Sequence, residues 1–247
     1  DGNSVTDQSG NSNNWTVASG TLTNTEDNPS NVFATLNPLI KMYYQPSFSD
    51  GNLTFSGATG NWRASYSTIG ASSGKWYAEI KTTSGTNNFT GICTANTADD
   101  AYSASDNYTG KTSEGWGIHN SGSLNNNDST VGGWSGTSYT TNDIIGVAVD
   151  LDNNFLYFRK NAEAWMNSGN PTSGATGTGG VNISSISGEF VLFGASSQGS
   201  TISYNFGNGY FGTTAVASAG TNASGIGIFE YDVPTGFTAL STKGLNL

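Results

Sequence analysis

The chain has 247 residues, only 11% of them charged, and its 8 Lys and Arg against 18 Asp and Glu leave a formal charge of −10. So few cations cannot neutralise a phosphate backbone, which excludes nucleic acid as a partner, and no run of about 18 apolar residues is present to span a membrane. One cysteine, Cys93, and one histidine, His119, exclude an intramolecular disulfide framework and argue against a His-rich metal site or a His-based triad.

Residues 1–29 are polar, with Trp15, Val17 and Leu22 among their few apolar members. They read either as a flexible arm or as an edge strand around Trp15–Leu22. From Val32 onward, short apolar runs alternate with Gly, Asn, Asp and Ser clusters, and no stretch sustains a 3.6-residue apolar period. That pattern predicts an all-β fold with little or no helix. Leu53–Phe55 follows the turn signal Asp50-Gly51-Asn52. Trp76–Ile80 alternates, with Trp76, Ala78 and Ile80 on one face and Tyr77, Glu79 and Lys81 on the other. Thr90–Thr94 and Gly115–Ile118 are short strands, and the segment between them, Ala95–Ser113, is too long and polar for a mere connection.

Ile144–Val149 and Phe155–Phe158 flank Asp150-Leu151-Asp152-Asn153-Asn154. The Asn-Asn pair tolerates positive φ, which predicts a tight hairpin. Trp165–Val181 is a second long polar loop. Phe190–Gly194 and Thr201–Phe206 read as a further hairpin around Ser196–Ser200. Thr213–Ile226 is low in complexity and reads as an exposed excursion, and Tyr231–Leu240 closes the pattern. Antiparallel strands at this spacing predict a sandwich of two packed sheets.

A sandwich can host glycoside hydrolysis, which needs two carboxylates about 5–10 Å apart across a cleft. A Glu-x-Asp-x-x-Glu strand is absent, and Glu79, Glu114, Glu163, Glu189 and Glu230 are isolated from one another, so no catalytic residue is predicted. Glu79 reads as solvent-exposed or structurally hydrogen-bonded. The Asp150–Asn154 run lacks the Gly and the bidentate Glu of a calcium loop, with Phe155 and Asn161 in those places. Asp99, Asp100 and Asp106 read as a solvated acidic loop, with Ca²⁺ held beside backbone carbonyls as the alternative. His119 reads as a surface or edge residue and Cys93 as a small buried hydrophobe.

The aromatics divide by context. Trp76, Phe155, Phe158, Phe190, Phe193, Phe206 and Phe237 lie in strands or strand-like motifs and are assigned to the core, as are Trp116 and Tyr139. Tyr102, Tyr108, Trp134, Trp165 and Tyr210 lie in Gly-, Ser- and Asn-rich loops. Rigid amphipathic rings among adaptable hydrogen-bonders make these five the candidate ligand-binding residues.

Gly74-Lys75-Trp76-Tyr77-Ala78-Glu79-Ile80 resembles the opening strand motif of the SPRY domain family. Asn142–Asp152, Phe155–Asn161 and Thr201–Gly207 are similar to three further motifs of that family, in the same order. The framing segments Asn31–Pro38, Ser49–Thr54 and Pro234–Thr242 resemble the SPRY domains of phage and prophage structural proteins. The sequence departs from the pattern at Ala162, where the family's turn has Gly, and in the Thr213–Ile226 insertion. The resemblance covers residues 30–247, leaving 1–29 as an arm or edge segment.

It implies a bent antiparallel β-sandwich of the SPRY, concanavalin-like jelly-roll type, with no catalysis, no cofactor and no metal. It also implies binding of protein or peptide epitopes through loops at one end. The resulting expectation is a non-catalytic module on a phage virion surface, fibre or decoration, hence extracellular. Its expected partner is a host-surface glycan or protein, or other virion proteins, with a homo-oligomer as one option. A purely structural virion subunit is the alternative, and a glycoside hydrolase stands behind both.

Overall fold

In the computed structural model, which describes residues 7, 10–14, 16, 18, 28, 30–100 and 107–246, the strands follow one another along the chain. They are β1 (Ser47–Ser49), β2 (Thr54–Ser56), β3 (Arg63–Tyr66), β4 (Lys75–Ser84) and β5 (Asn88–Thr94). A short helix, α1 (Ala95–Asp100), then precedes β6 (Gly115–His119), β7 (Leu124–Asn126) and β8 (Ser129–Thr130). The hairpin strands β9 (Ile144–Asp150) and β10 (Phe155–Lys160) come next, followed by β11 (Val181–Asn182), β12 (Val191–Ser197) and β13 (Thr201–Asn205). The series ends with β14 (Tyr210–Phe211), β15 (Thr214–Ala215) and β16 (Thr238–Ala239). The Trp15–Leu22 strand alternative lies outside the described residues.

Two antiparallel sheets form. The first runs β1-β2-β13-β4-β9-β10-β11, with β16 adding in parallel beside the start of β4, and the second runs β3-β12-β5-β6-β7-β8. The sandwich and its near absence of helix agree with the strand spacing. The two sheets meet through apolar residues of one parity. Ile80 pairs with Tyr204, Tyr204 stacks on Phe206 at 5.0 Å, and Phe206 meets Phe193 of the second sheet edge-on at 6.3 Å. Trp116, Tyr139, Phe158 and Phe237 are buried in the same core.

The opposite parity is buried too. Every residue of β5, β9 and β12 is buried, because loops fold back over both outer faces. Over the second sheet, Met42, Ala98 and Tyr66 pack on Cys93 and Leu192. Residues 107–110 cross the same face closely enough that a Cβ at Gly117 would run into the Thr109 carbonyl. Over the first sheet, Phe229 packs edge-on against Tyr77 at 5.0 Å. Strands covered on both faces read as near-continuous apolar runs, which is the pattern of Ile144–Val149.

Some expectations change. Phe190–Gly194 and Thr201–Phe206 are not hairpin partners: β12 pairs with β3 and β5, and β13 with β2 and β4 of the other sheet. The Ser197 hydroxyl causes this. It accepts the Ser200 N–H at 2.7 Å and donates to the Ser200 carbonyl at 2.6 Å, bending the chain from one sheet to the other. Phe193 and Phe206 therefore meet across the core from opposite sheets.

Phe190 is not in the core. It is 60% exposed, because it lies one residue before β12 and beyond the cover over that face. Phe155 is only half-buried. The β9–β10 turn forms as expected but spans Leu151–Asn154, with Asn154 at φ 62 and Asn153 outside the left-handed region. After β10, Asn161 itself takes φ 49 and its side chain bridges the Ile144 N–H and Asp143, so the turn closes without glycine at 162. The Thr213–Ile226 insertion is largely exposed as expected, except for Ile226, which is buried.

Candidate functional site

A pocket of about 630 Å³ opens at the end of the sandwich where β4 begins. Its floor is Trp76, and one side is the small-residue run Gly70–Gly74. Gly74 is required there, at φ +86 with the Trp76 ring 3.1 Å from where its Cβ would lie. Ala223, Ser224, Gly236 and Phe237 form the facing wall, and the C-terminal Leu245 closes one side.

The charged groups and the indole N–H in the pocket are already engaged. Lys75 pairs with the buried Asp150 at 2.9 Å and lies 5.9 Å from the Phe237 ring centroid. Asp152 accepts the Gly74 N–H at 2.7 Å, and the Trp76 indole donates to the Ser73 carbonyl at 2.8 Å. Two large apolar side chains remain exposed at the rim, Phe190 at 60% and Leu245 at 44%. Such groups in a well-formed concavity make this the candidate binding surface.

The facing wall belongs to a strap, residues 217–237, that crosses the outer face of the first sheet. Glu79 fastens it. One carboxylate oxygen accepts the Tyr231 N–H at 2.8 Å and the Tyr77 hydroxyl at 3.2 Å; the other accepts the Glu230 N–H at 2.8 Å and the Asn205 amide at 3.3 Å. Glu79 is fully buried, so of its two sequence readings the hydrogen-bonded one holds. Burial pushes its pKa up to about 7, while the four donors pull the other way. The strap is also tied to β16, where the Thr238 hydroxyl reaches the Ser224 hydroxyl at 3.1 Å.

Of the five loop aromatics, none of the four among the described residues lines this pocket. Tyr102 lies outside the described residues. Tyr108 is buried, stacks on Phe89 at 4.6 Å and donates to Asp128 at 2.5 Å, so it pins its loop to the second sheet. Trp165 is half-buried, with the Arg159 guanidinium 4.9 Å over its ring. Tyr210 is half-buried in the β14–β15 hairpin. Trp134 is half-buried, donates to the Gly122 carbonyl at 3.1 Å and lines a separate cleft.

His119 sits at the end of β6, half-buried, between Ser121 and Asn87, and burial lowers its pKa. Cys93 is buried, as expected of a small hydrophobe. Asp150 and Asn153 are joined side chain to side chain in the hairpin turn at 2.9 Å, and among the described residues no group of three His, Cys, Asp or Glu could hold a metal ion.

A two-sheet antiparallel sandwich with a loop-built pocket at one end defines a class of binding domains. The SPRY domain profile matches residues 75–209, more than half of the chain, and the chain belongs to the SPRY domain family. Domains of this family are generally non-catalytic modules that mediate protein–protein interactions. Among solved structures, the SPRY domain of human HERC1 is similar in fold, with a TM-score of 0.50 and 14% identity over 68% of this chain and 96% of that one. No curated protein matches the sequence.

Because Glu79 titrates near 7 in the folded chain and near 4.5 unfolded, the native state holds the extra proton between those values. Stability from this group is therefore highest at acid pH and is lost as pH rises towards 7, by roughly 3 kcal/mol. Urea midpoints of the wild type should fall between pH 5 and pH 8 relative to those of Glu79→Gln. Identical pH dependence in the two proteins would contradict the assignment.

Proposed function

We propose that the chain is a recognition module of a virion surface, on a fibre or a decoration protein, and that its end pocket takes an apolar side chain from a partner protein. The observation that carries the pocket assignment is the exposure of Phe190 and Leu245 around a cavity whose charged groups already pair internally. An incoming apolar group would bury these rings and chains without stranding a charge. The family's general role in protein–protein interaction supports a protein partner. The framing segments Asn31–Pro38 and Pro234–Thr242, with their resemblance to phage structural proteins, support the virion, and residues 1–29 would serve as its tether. The partner there is a host-surface protein or a neighbouring virion subunit.

Panning a random-peptide library on the chain should enrich sequences with a large apolar anchor. Their affinity should fall at least tenfold, about 1.4 kcal/mol, in Phe190→Ala and in Ala223→Arg. No enrichment, or affinity unchanged in both variants, would remove the pocket from the reading. A specific oligomer that Phe190→Ala dissolves would assign the pocket to subunit packing. An antibody against the chain should label purified phage particles, and label confined to the non-particulate fraction would contradict the virion placement.

A further inference from the structure

A second cleft, of about 500 Å³, opens where the edge strands of the two sheets diverge, between β7–β8 on one side and β11 on the other. It shares no lining residue with the end pocket. Trp116 and Trp134 line it together with Asn126, Asn167, Asn182 and Ser185, and among the described residues no charged side chain contributes. Trp134 is held by its bond to the Gly122 carbonyl at 3.1 Å and by an edge contact with Phe158 at 6.0 Å.

The polar groups of this cleft are only partly used. Asn167 is committed, accepting the Ser135 N–H at 3.3 Å and donating to the Gly179 carbonyl at 3.2 Å. Asn126 donates its amide to the Gly115 carbonyl at 2.8 Å, which leaves its oxygen without a partner among the described residues. Asn182 accepts the Ser184 N–H at 2.9 Å, which leaves its NH₂ group. The Ser185 hydroxyl and the Trp116 indole N–H have no protein partner among the described residues either.

Gly132 adds an independent sign. A Cβ there would meet nothing within 4 Å, and its backbone is not left-handed. Neither packing nor conformation requires glycine, and at this lining position a large side chain has room to lie over the cleft.

We infer that this cleft binds a neutral saccharide. Sugar hydroxyls both donate and accept, which matches a mixed set of unused donors and acceptors beside indole rings. An apolar peptide anchor would instead leave these groups buried and unpaired. The absence of a cation from the lining, on a chain of net charge −10, disfavours acidic sugars. The inference does not depend on the end pocket.

Saturation-transfer NMR of the whole chain with maltotriose, cellotriose, mannotriose, galactotriose and triacetylchitotriose tests it. At least one trisaccharide should receive saturation. Its affinity should drop at least tenfold in Gly132→Phe, which fills the mouth without strain, and in Asn182→Ala, while Phe190→Ala leaves it unchanged. The inference fails if no trisaccharide binds, if binding survives Gly132→Phe, or if Phe190→Ala abolishes it. It fails equally if a peptide from the library screen, and no sugar, is displaced by Gly132→Phe.

Discussion

The Glu79 carboxylate is the constraint on which the end pocket depends. Placing a carboxyl group at the centre of a covered sheet face costs solvation energy, and here two backbone N–H groups, a phenol and an amide offset it. Those backbone groups belong to Glu230 and Tyr231, so the same carboxylate that satisfies its own burial fastens the strap. The strap in turn supplies Ala223, Ser224, Gly236 and Phe237 to the pocket wall. Arg159, donating to the Asp232 carbonyl at 2.8 Å, fixes the strap's far side. A polar interaction buried in the sheet thus determines the shape of a pocket at the sheet's end.

The unusual composition follows from covering both outer faces. Loops that lie flat on a sheet need strands without protruding side chains at the crossings, which is where Gly117 stands, since a Cβ there would strike the Thr109 carbonyl; Gly91 and Gly146 instead leave room within the sheets, for the Trp116 carbonyl of β6 and the Tyr77 ring of β4. Outer-face positions that would carry charges in a two-layer sandwich open to water instead carry Tyr77, Tyr157, Cys93 and Leu192, all buried. Six of the eight cations are placed in pairs or over rings, such as Lys75 with Asp150 and Arg159 above Trp165. Low charge and high glycine are thus properties of a self-covered sandwich.

Much of the fold was legible in the residues, because β4 and the β9–β10 hairpin pair apolar runs with local turn chemistry at Gly74 and Asn154. The strands β7, β8 and β11 were not, since two or three residues with at most one apolar side chain carry no periodicity. The β12–β13 connection was misread because an apolar strand does not reveal which sheet it joins, and the Ser197–Ser200 bend that decides it leaves no hydrophobic signal. The end pocket was hidden for a related reason. It assembles segments around residues 70–76, 190, 223–224, 236–238 and 244–245, mostly small residues whose meeting is purely tertiary. The run Gly70-Ala71-Ser72-Ser73-Gly74, just ahead of the family's first motif, was the one local sign. Of the loop aromatics, Tyr108 turned inward to hold its loop, whereas Trp134 lines a cleft, a distinction that depends on partners far away in the chain.

The central claim is that Glu79 couples the sheet to the pocket wall through the strap. Amide hydrogen exchange of Glu79→Leu against the wild type tests it most directly, because local opening is read segment by segment. The account predicts faster exchange across residues 217–238, with the β9–β10 hairpin keeping its protection. Unchanged protection of the strap, or uniform loosening of the whole chain, would contradict it.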